Sequence, residues 1–256
     1  MLLTTLITSL PLPFEDAVRR VAALGFAYVD VVGLTDRPAS HREALADTDL
    51  VVSCAAVGRD LSASTALDAA SIEDRRIALE HVKQQIADAA GLGATYCYLT
   101  AGTNASPEGL LYFSDACNLL ADYARQRMIR LCVEHIPGRA LPTAASVLDW
   151  LANVRHPNLY LLLDVGHCQI TNESPDAIIK RAGDRLGYVH LDDNDGKQDL
   201  HWPLLHGVMR EDELVGTLTF LKNTGYAGAL CLELNAANTL PEEMLREGRE
   251  IVAKLI

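Results

Sequence analysis

The sequence predicts a single-domain α/β protein of the (β/α)8-barrel class, and three observations favour this class. Short β-rich runs alternate with longer amphipathic runs along the whole chain, which is the order that builds a parallel sheet. Eight such pairs can be counted, and 256 residues is close to the length that one barrel of this kind usually occupies. No Pro-, Ser- or Gly-rich linker divides the chain, so we expect one domain over residues 1–256.

The predicted elements follow one another in strict alternation. The strands cover 2–8, 27–32, 51–57, 95–100, 129–134, 159–164, 186–191 and 229–234. The helices cover 14–24, 39–47, 71–90, 106–127, 143–154, 174–183, 211–224 and 241–255. Helix-start signals such as Ser106-Pro107, and glycines after helix ends such as Gly91 and Gly225, support these bounds. An open doubly wound sheet is the alternative, but no G-x-G-x-x-G follows the first strand.

Composition argues against several classes of protein. The net charge of -12 disfavours a surface that binds nucleic acid or an anionic membrane. The six cysteines are scattered without a C-x-x-C pair, so we expect them to be reduced packing residues. No signal-peptide pattern or membrane-length apolar run occurs, so the expected compartment is the cytoplasm. Barrels of this size often assemble, which makes a homo-oligomer an open expectation.

Ionisable residues end the last four predicted strands. They are Glu134, Asp164, His190 and Glu233, and each follows an apolar run. The carboxyl ends of barrel strands meet at one rim, where buried carboxylates need a counter-charge. A divalent cation would supply it, and this oxygen-rich set favours Mn²⁺, with Mg²⁺, Co²⁺ or Zn²⁺ as alternatives. Unrelated strand ends, or ion pairs with arginine, are the structural alternative.

This set predicts a reaction class. A cation with open positions would polarise the carbonyl of a hydroxy-ketone or hydroxy-aldehyde and stabilise the enediolate left when a neighbouring C–H proton departs. Glu134 and Glu233 are the candidate catalytic acid–base pair. We therefore expect a metal-dependent isomerase or epimerase of a small sugar or hydroxy-keto acid. A dehydratase, in which the same proton abstraction expels a hydroxyl, and a non-catalytic binding barrel are alternatives.

Several segments together resemble one known family. They are Val133-Glu134-His135, Asp164-Val165-Gly166-His167, the run from Val189 to Gly196, Asp199-Leu200-His201 and Leu232-Glu233-Leu234. This combination is similar to the xylose isomerase-like TIM barrel family, the superfamily of sugar phosphate isomerases/epimerases and AP endonuclease family 2. It includes ketose 3-epimerases, hydroxypyruvate isomerases, dehydratases and endonuclease IV. The resemblance implies that Glu134, Asp164, His190 and Glu233 bind metal and that His167 faces the substrate. A dehydratase of a keto-polyol or dehydroshikimate-like substrate is the alternative it implies.

The chain also departs from the family pattern. Asp199 and His201, with His167, resemble the group that holds an additional zinc in the endonucleases, and a second metal and a substrate contact are both open interpretations. The third and fourth strands lack the histidines that complete such a cluster, which argues against an endonuclease. Asp30 stands on the second strand where the family usually has Glu.

Three further residues are candidates for binding the substrate. Arg139 and Lys197 are the basic residues nearest the predicted rim and are suited to a carboxylate or hydroxyl, with ordinary surface charge as the alternative. Trp202 opens an apolar run where relatives have a Gly-rich turn; a lid that stacks on a sugar and a dimer contact are equally open. No phosphate-cradling glycine loop follows the last two strands, so a phosphorylated substrate is not indicated.

Overall fold

The structure is a computed structural model that describes residues 1–62 and 64–256. Eight parallel strands form one sheet: β1 (Leu2–Thr5), β2 (Tyr28–Val32), β3 (Val51–Ala56), β4 (Tyr96–Thr100), β5 (Arg130–Glu134), β6 (Leu159–Asp164), β7 (Leu186–Leu191) and β8 (Ala229–Leu232). Their order in the sheet is β1-β8-β7-β6-β5-β4-β3-β2. A parallel bridge between Leu6 and Asp30 joins its two ends, so the sheet closes into the expected barrel.

The helices surround this barrel. They are α1 (Phe14–Ala23), α2 (Ala39–Ala46), α3 (Ile72–Gly91), α4 (Pro107–Arg125), α5 (Ala144–Val154), α6 (Val165–Thr171), α7 (Pro175–Ala182), α8 (Glu211–Asn223) and α9 (Pro241–Leu255). All eight predicted helices occur within a few residues of the predicted bounds. The short helix α6 was not predicted, because seven residues directly after a strand are too few to show an amphipathic period; it is capped by the side chain of Asp164.

The apolar core has two parts, because each strand buries both of its faces. The larger part lies between the strands and the helices. The smaller part fills the barrel interior and consists of Leu6, Cys54, Ala56, Tyr98, Cys132, Leu162, Tyr188, Ala229 and Cys231. All six cysteines are free and buried, as their positions in apolar runs predicted. In the described ranges, no helix is both long enough and apolar enough to pass through a membrane.

Strand register brings the predicted rim residues to the same height. Glu134 ends β5 beside Leu162, and Asp164 ends β6 directly beside His190 of β7. His190 in turn pairs with Cys231, two residues before Glu233. The backbone of Glu233 lies just beyond β8 and donates to the carbonyl of Leu191 at 3.4 Å. These four side chains therefore share the carboxyl-terminal rim, the face where barrels of this class carry their sites.

Candidate metal centre and active-site cavity

The structure brings the four rim residues into one cluster. Nδ1 of His190 lies 2.6 Å from Oε2 of Glu233, 3.0 Å from Oε1 of Glu134 and 3.7 Å from Oδ2 of Asp164. One ligand atom from each of the four residues lies within 4.8 Å of the ligand atoms of the others. All four residues are buried. Side chains separated by up to 99 positions in the sequence, from Glu134 to Glu233, thus converge on one point.

Local structure fixes the orientation of these side chains. Asp164 is the N-cap of α6, and its Oδ1 accepts the backbone N–H of His167 at 2.7 Å, which leaves Oδ2 directed at the cluster. The His190 ring is held edge-on by two tyrosine rings, with centroid distances of 5.0 Å to Tyr98 and 6.0 Å to Tyr188. The ligand atoms are therefore held in place by packing and capping.

The electrostatics of the cluster favour a cation. Burial disfavours the imidazolium form of His190, but Glu233, Asp164 and Glu134 outweigh this effect and raise its pKa well above the usual value. Burial would raise the pKa of Glu233, yet His190 and Arg59 lower it well below its usual value. Three carboxylates therefore surround one imidazole, so the cluster is rich in acidic groups.

Buried oxygen atoms without hydrogen-bond partners indicate whether a metal ion fits this cluster. Oδ2 of Asp164 and Oε2 of Glu233 are buried and receive no hydrogen bond of suitable geometry from the described residues. Buried carboxylate oxygens without partners are costly, and a hard divalent cation prefers such oxygens with at most a few nitrogens as ligands. The donor set and its two orphaned oxygens therefore fit a divalent cation.

A cavity of about 500 Å³ opens above the cluster. Glu134 and Glu233 form part of its wall, together with the predicted substrate-binding residues His167, Asp199, His201 and Arg139. Two predicted residues are not brought to it. Among the described lining residues of this cavity Lys197 does not occur, and Trp202 lies instead at a separate open pocket with Pro203, His206 and Met244.

The reason for this placement is the path of the loop after β7. An antiparallel bridge pairs Trp202 with Asp193, and its two backbone hydrogen bonds of 2.7 and 2.9 Å hold the start of the apolar run beside that strand end. Lys197 is exposed at the turn before it, where Asp195 accepts its backbone N–H at 2.8 Å. Lys197 and Trp202 are thus close in sequence to the end of β7 but do not line the cavity.

His167, Asp199 and His201 also converge, and Asp192 joins them. Oδ1 of Asp199 lies 3.3 Å from Nε2 of His167 and 3.1 Å from Nε2 of His201, and Oδ2 of Asp192 lies 2.8 Å from Nδ1 of His201. Although burial opposes it, Asp164 and Asp199 raise the pKa of His167 to about 10, and Asp192 and Asp199 raise that of His201 to about 12. One ligand atom from each of His167, Asp199 and His201 lies within 4.8 Å of the others, so a second metal and a substrate contact both stay predictions for this group.

Sequence reasoning missed Arg59, which also lines the cavity. Its Nη2 lies 3.0 Å from Oε1 of Glu233 and donates to the hydroxyl of Tyr98. Arg59 follows β3 after the turn at Gly58, which has a φ of +74°. A charged residue after a glycine at a strand end was the available signal, since βα loops supply barrel sites.

The fold and the rim cluster together define a (β/α)8 barrel with a candidate metal centre at its carboxyl-terminal face. A family model described as xylose isomerase-like TIM barrel matches residues 18–255, and the chain belongs to this family. The resemblance inferred from the motifs is thus confirmed.

Individual relatives are more distant. The chain is 29% identical over 136 residues to L-ribulose 3-epimerase of Methylomonas sp. (strain DH-1), covering 50% of this chain and 48% of that protein. It is 31% identical over 83 residues to inosose dehydratase of Serratia proteamaculans (strain 568), covering 31% and 28%. The chain thus spans about half, or less, of the length of these curated relatives.

Solved structures agree over the full length. The D-allulose 3-epimerase from Methylomonas sp. superposes with a TM-score of 0.86 at 20% identity, covering 100% of this chain and 98% of that one. A D-psicose 3-epimerase gives a TM-score of 0.84 at 18% identity, covering 100% and 99%. At this level of identity the likeness shows the shared fold.

Proposed function

We propose that the protein is a divalent-metal-dependent epimerase or isomerase of a small sugar or hydroxy-keto acid. The main observation that supports this proposal is that Glu134 and Glu233 both line one cavity. Their carboxylate oxygens lie 3.0 and 2.6 Å from Nδ1 of His190. Relatives named as 3-epimerases of L-ribulose, fructoselysine and D-psicose favour a sugar within this class.

Glu134, Asp164, His190 and Glu233 would hold the metal, which we propose is Mn²⁺, with Mg²⁺, Co²⁺ and Zn²⁺ as alternatives. Such an ion would supply Lewis-acid chemistry to a substrate carbonyl next to the C–H bond that is broken. The set of three carboxylates and one imidazole, with its orphaned oxygens, supports this assignment.

The two glutamates would move the proton. Epimerisation inverts a carbon, so the proton must leave one face and return to the other, which two carboxylates on different strands can accomplish. Glu134 ends β5 and Glu233 follows β8. Among the described residues of the cluster, Arg59 forms its hydrogen bond with Glu233. We assign Glu233 as the base for one epimer and Glu134 as the base for the other.

Other cavity residues would orient the substrate. His167, Asp199 and His201 present polar groups to the cavity, suited to the hydroxyls of a sugar. Arg139, exposed at the cavity wall, suits a carboxylate or a terminal hydroxyl. Holding several substrate oxygens would fix the carbon to be deprotonated close to the two glutamates, which lowers the entropic cost of the proton transfer.

Hydrogen exchange tests this assignment. In D₂O, Glu233→Gln should lose exchange at the reacting carbon of one epimer and retain it with the other, and Glu134→Gln should show the opposite pattern. Retained metal content and an unchanged circular dichroism spectrum would exclude loss of the site or the fold. Wild-type exchange with both epimers in both variants would reject the proposed acid–base pair.

A dehydratase is the second candidate, favoured by the similarity to inosose dehydratases. Both reactions begin with the same proton abstraction and differ in whether a hydroxyl then leaves. Incubation with ketoses, keto-polyols and hydroxy-keto acids separates them by mass spectrometry, because epimerisation conserves the substrate mass and dehydration lowers it by one water.

Three further expectations remain predictions. Nucleic acid is not an expected partner, since the chain carries a net charge of -12, and an intact abasic DNA duplex after incubation would agree with this. The cytoplasmic location and a homo-oligomeric state are testable by fractionation and by sedimentation.

A further inference from the structure

A buried carboxylate lies inside the barrel beneath the four-residue cluster. Asp30 is the middle residue of β2 and has no exposed surface. Thr4 Oγ1 donates to its Oδ1 at 2.9 Å, and the Tyr188 hydroxyl lies 2.8 Å from both of its oxygens. The Ser53 hydroxyl lies 2.9 Å from that of Tyr188 and extends the network. Neutral donors therefore fix the orientation of Asp30 but do not balance its charge.

His190 is the ionisable imidazole nearest to this carboxylate. A ring nitrogen of His190, a carboxylate oxygen of Asp30 and Sγ of Cys231 all lie within 4.8 Å of one another. Nδ1 of His190 is turned towards Glu134 and Glu233 on the rim. Nε2 is buried and has no hydrogen-bond partner in the described part of the chain. Nε2 is therefore the nitrogen left to face the barrel interior, where Asp30 lies.

We propose that Asp30 is a positioning residue for His190. With a metal bound at the rim, its negative charge would face the Nε2–H of the imidazole and leave the lone pair of Nδ1 for the ion. Histidines that bind metals generally direct their other nitrogen to a carboxylate or carbonyl, which fixes the tautomer and makes the ligand atom more basic. The inference rests on the proposed function to the extent that the rim cluster binds a metal.

The barrel interior gives this interaction strength. Tyr98, Tyr188 and Cys231 surround the pair and are buried, so a separation of less than 5 Å is screened far less than in water. The position of Asp30 in the middle of β2, and its hydrogen bond from Thr4, keep it below the rim and out of the ligand set. Asp30 thus acts on the cluster through His190 and touches neither cavity nor substrate.

A purely structural role is the competing explanation, since Asp30 also forms the bridge with Leu6 that closes the sheet. Metal affinity separates the two roles, because sheet closure affects stability first. Mn²⁺ binding to the protein alone, followed by the electron paramagnetic resonance of free Mn²⁺, gives the affinity without any substrate. Thermal unfolding of the metal-free protein gives the stability.

Asp30→Asn removes the charge and preserves the shape, and we expect it to weaken Mn²⁺ binding by about 10- to 100-fold. Asp30→Glu restores the charge and should restore most of the affinity. Tyr188→Phe is the matched control: it removes the hydrogen bonds to Asp30 but keeps the carboxylate, so it should lower the unfolding temperature and leave Mn²⁺ affinity close to wild type. Wild-type affinity in Asp30→Asn would overturn the proposal.

A second measurement covers the case in which Asp30→Asn does not fold. In wild-type protein loaded with Zn²⁺, the Nε2–H proton of His190, assigned by its loss in His190→Gln, should resonate far downfield and exchange slowly, as a proton directed at a buried carboxylate does. A resonance typical of an unbonded imidazole would overturn the proposal. Failure of the wild type to bind any divalent cation would reject the metal centre itself, whereas normal binding with an unaffected Asp30→Asn rejects only the role of Asp30.

Discussion

Nη2 of Arg59 lies 3.0 Å from Oε1 of Glu233, and the Arg59 guanidinium stands over the ring of Tyr98 at 5.3 Å from its centroid. This ion pair connects the loop after β3 to the end of β8. It holds the carboxylate of Glu233 in one orientation at the cavity wall. The charge of a proposed catalytic residue is therefore controlled by a residue 174 positions earlier.

Replacing Arg59 should impair proton transfer more than substrate binding. Arg59→Met removes the cation that orients Glu233, and we expect kcat to fall by about 10²-fold, the scale of a lost acid–base contribution. The measurement is steady-state kinetics together with deuterium exchange.

Arg139→Met is the matched control for Arg59→Met. Arg139 lines the same cavity, but its side chain has no ion pair or hydrogen bond with another described residue, so its loss should raise KM with little change in kcat. Equal effects of the two substitutions on kcat would contradict the assigned role of Arg59.

Two buried aspartates, Asp164 in the four-residue cluster and Asp68 in the cavity wall, should differ in their effect on metal binding. Oδ2 of Asp164 has no hydrogen-bond partner among the described residues, whereas Asp68 accepts the backbone N–H of Asn104 at 3.1 Å. Asp164→Asn should therefore weaken Mn²⁺ binding by more than about 100-fold, beyond the usual effect of a group that only supports a ligand. Asp68→Asn should bind like wild type. Calorimetric titration after dialysis against a chelator measures both affinities, and similar losses would refute the assigned ligand set.

Two glycines should respond in opposite ways to alanine. A Cβ at Gly166 would lie 2.3 Å from Oδ1 of Asp192 and 2.5 Å from Nδ2 of Asn194, both fully buried. We expect Gly166→Ala to lower the free energy of unfolding by about 1–3 kcal/mol, as overpacking usually does. Gly216 lies inside α8, and no atom lies within 4 Å of the position of such a Cβ. Gly216→Ala should therefore raise the free energy of unfolding by about 0.5–1 kcal/mol. Urea unfolding measures both changes, and a stabilised Gly166→Ala would show that the packing beside Asp164 is looser than described.

The six thiols should react only after unfolding. All six are buried, and burial raises the pKa of Cys117 and Cys231 well above the usual value, so the reactive thiolate is suppressed. A chromogenic disulfide reagent should titrate no thiol rapidly in the native protein and all of them in denaturant. Rapid reaction of any thiol in the folded protein would show that the core opens on the time scale of the assay.

The strand and helix order was predictable because it depends on local patterns. Each strand is a short apolar run, and each long helix has an amphipathic period or a cap such as Ser106 or Ser174. The short helix α6 has neither length nor period, and the cap that starts it is Asp164, a residue whose other oxygen faces the cluster. The local pattern therefore did not predict this helix, because Asp164 both caps its N-terminus and contributes an oxygen to the cluster.

The rim cluster was predictable for a related reason. An ionisable residue at the end of an apolar strand is unusual, and the topology of a parallel barrel places all strand ends at one face. Arg59 carried a weaker signal, since a single charge in a loop is ordinary. Lys197 was a candidate because it is a basic residue near the predicted rim, and Trp202 because it opens the apolar run after the seventh strand. The bridge between Asp193 and Trp202 holds Trp202 away from the cavity.

The sequence by itself determined the barrel and the four residues that end its later strands, because periodicity and strand ends are encoded within a few neighbouring positions. Only the tertiary structure decided which charges meet. The pairing of Arg59 with Glu233, and the position of Asp30 beneath His190, depend on strand register and on the closure of the sheet between Leu6 and Asp30. Such contacts join segments that are far apart in the sequence. Their strength depends on how deeply the groups are buried and how close they lie in the fold, and a local sequence pattern carries neither quantity.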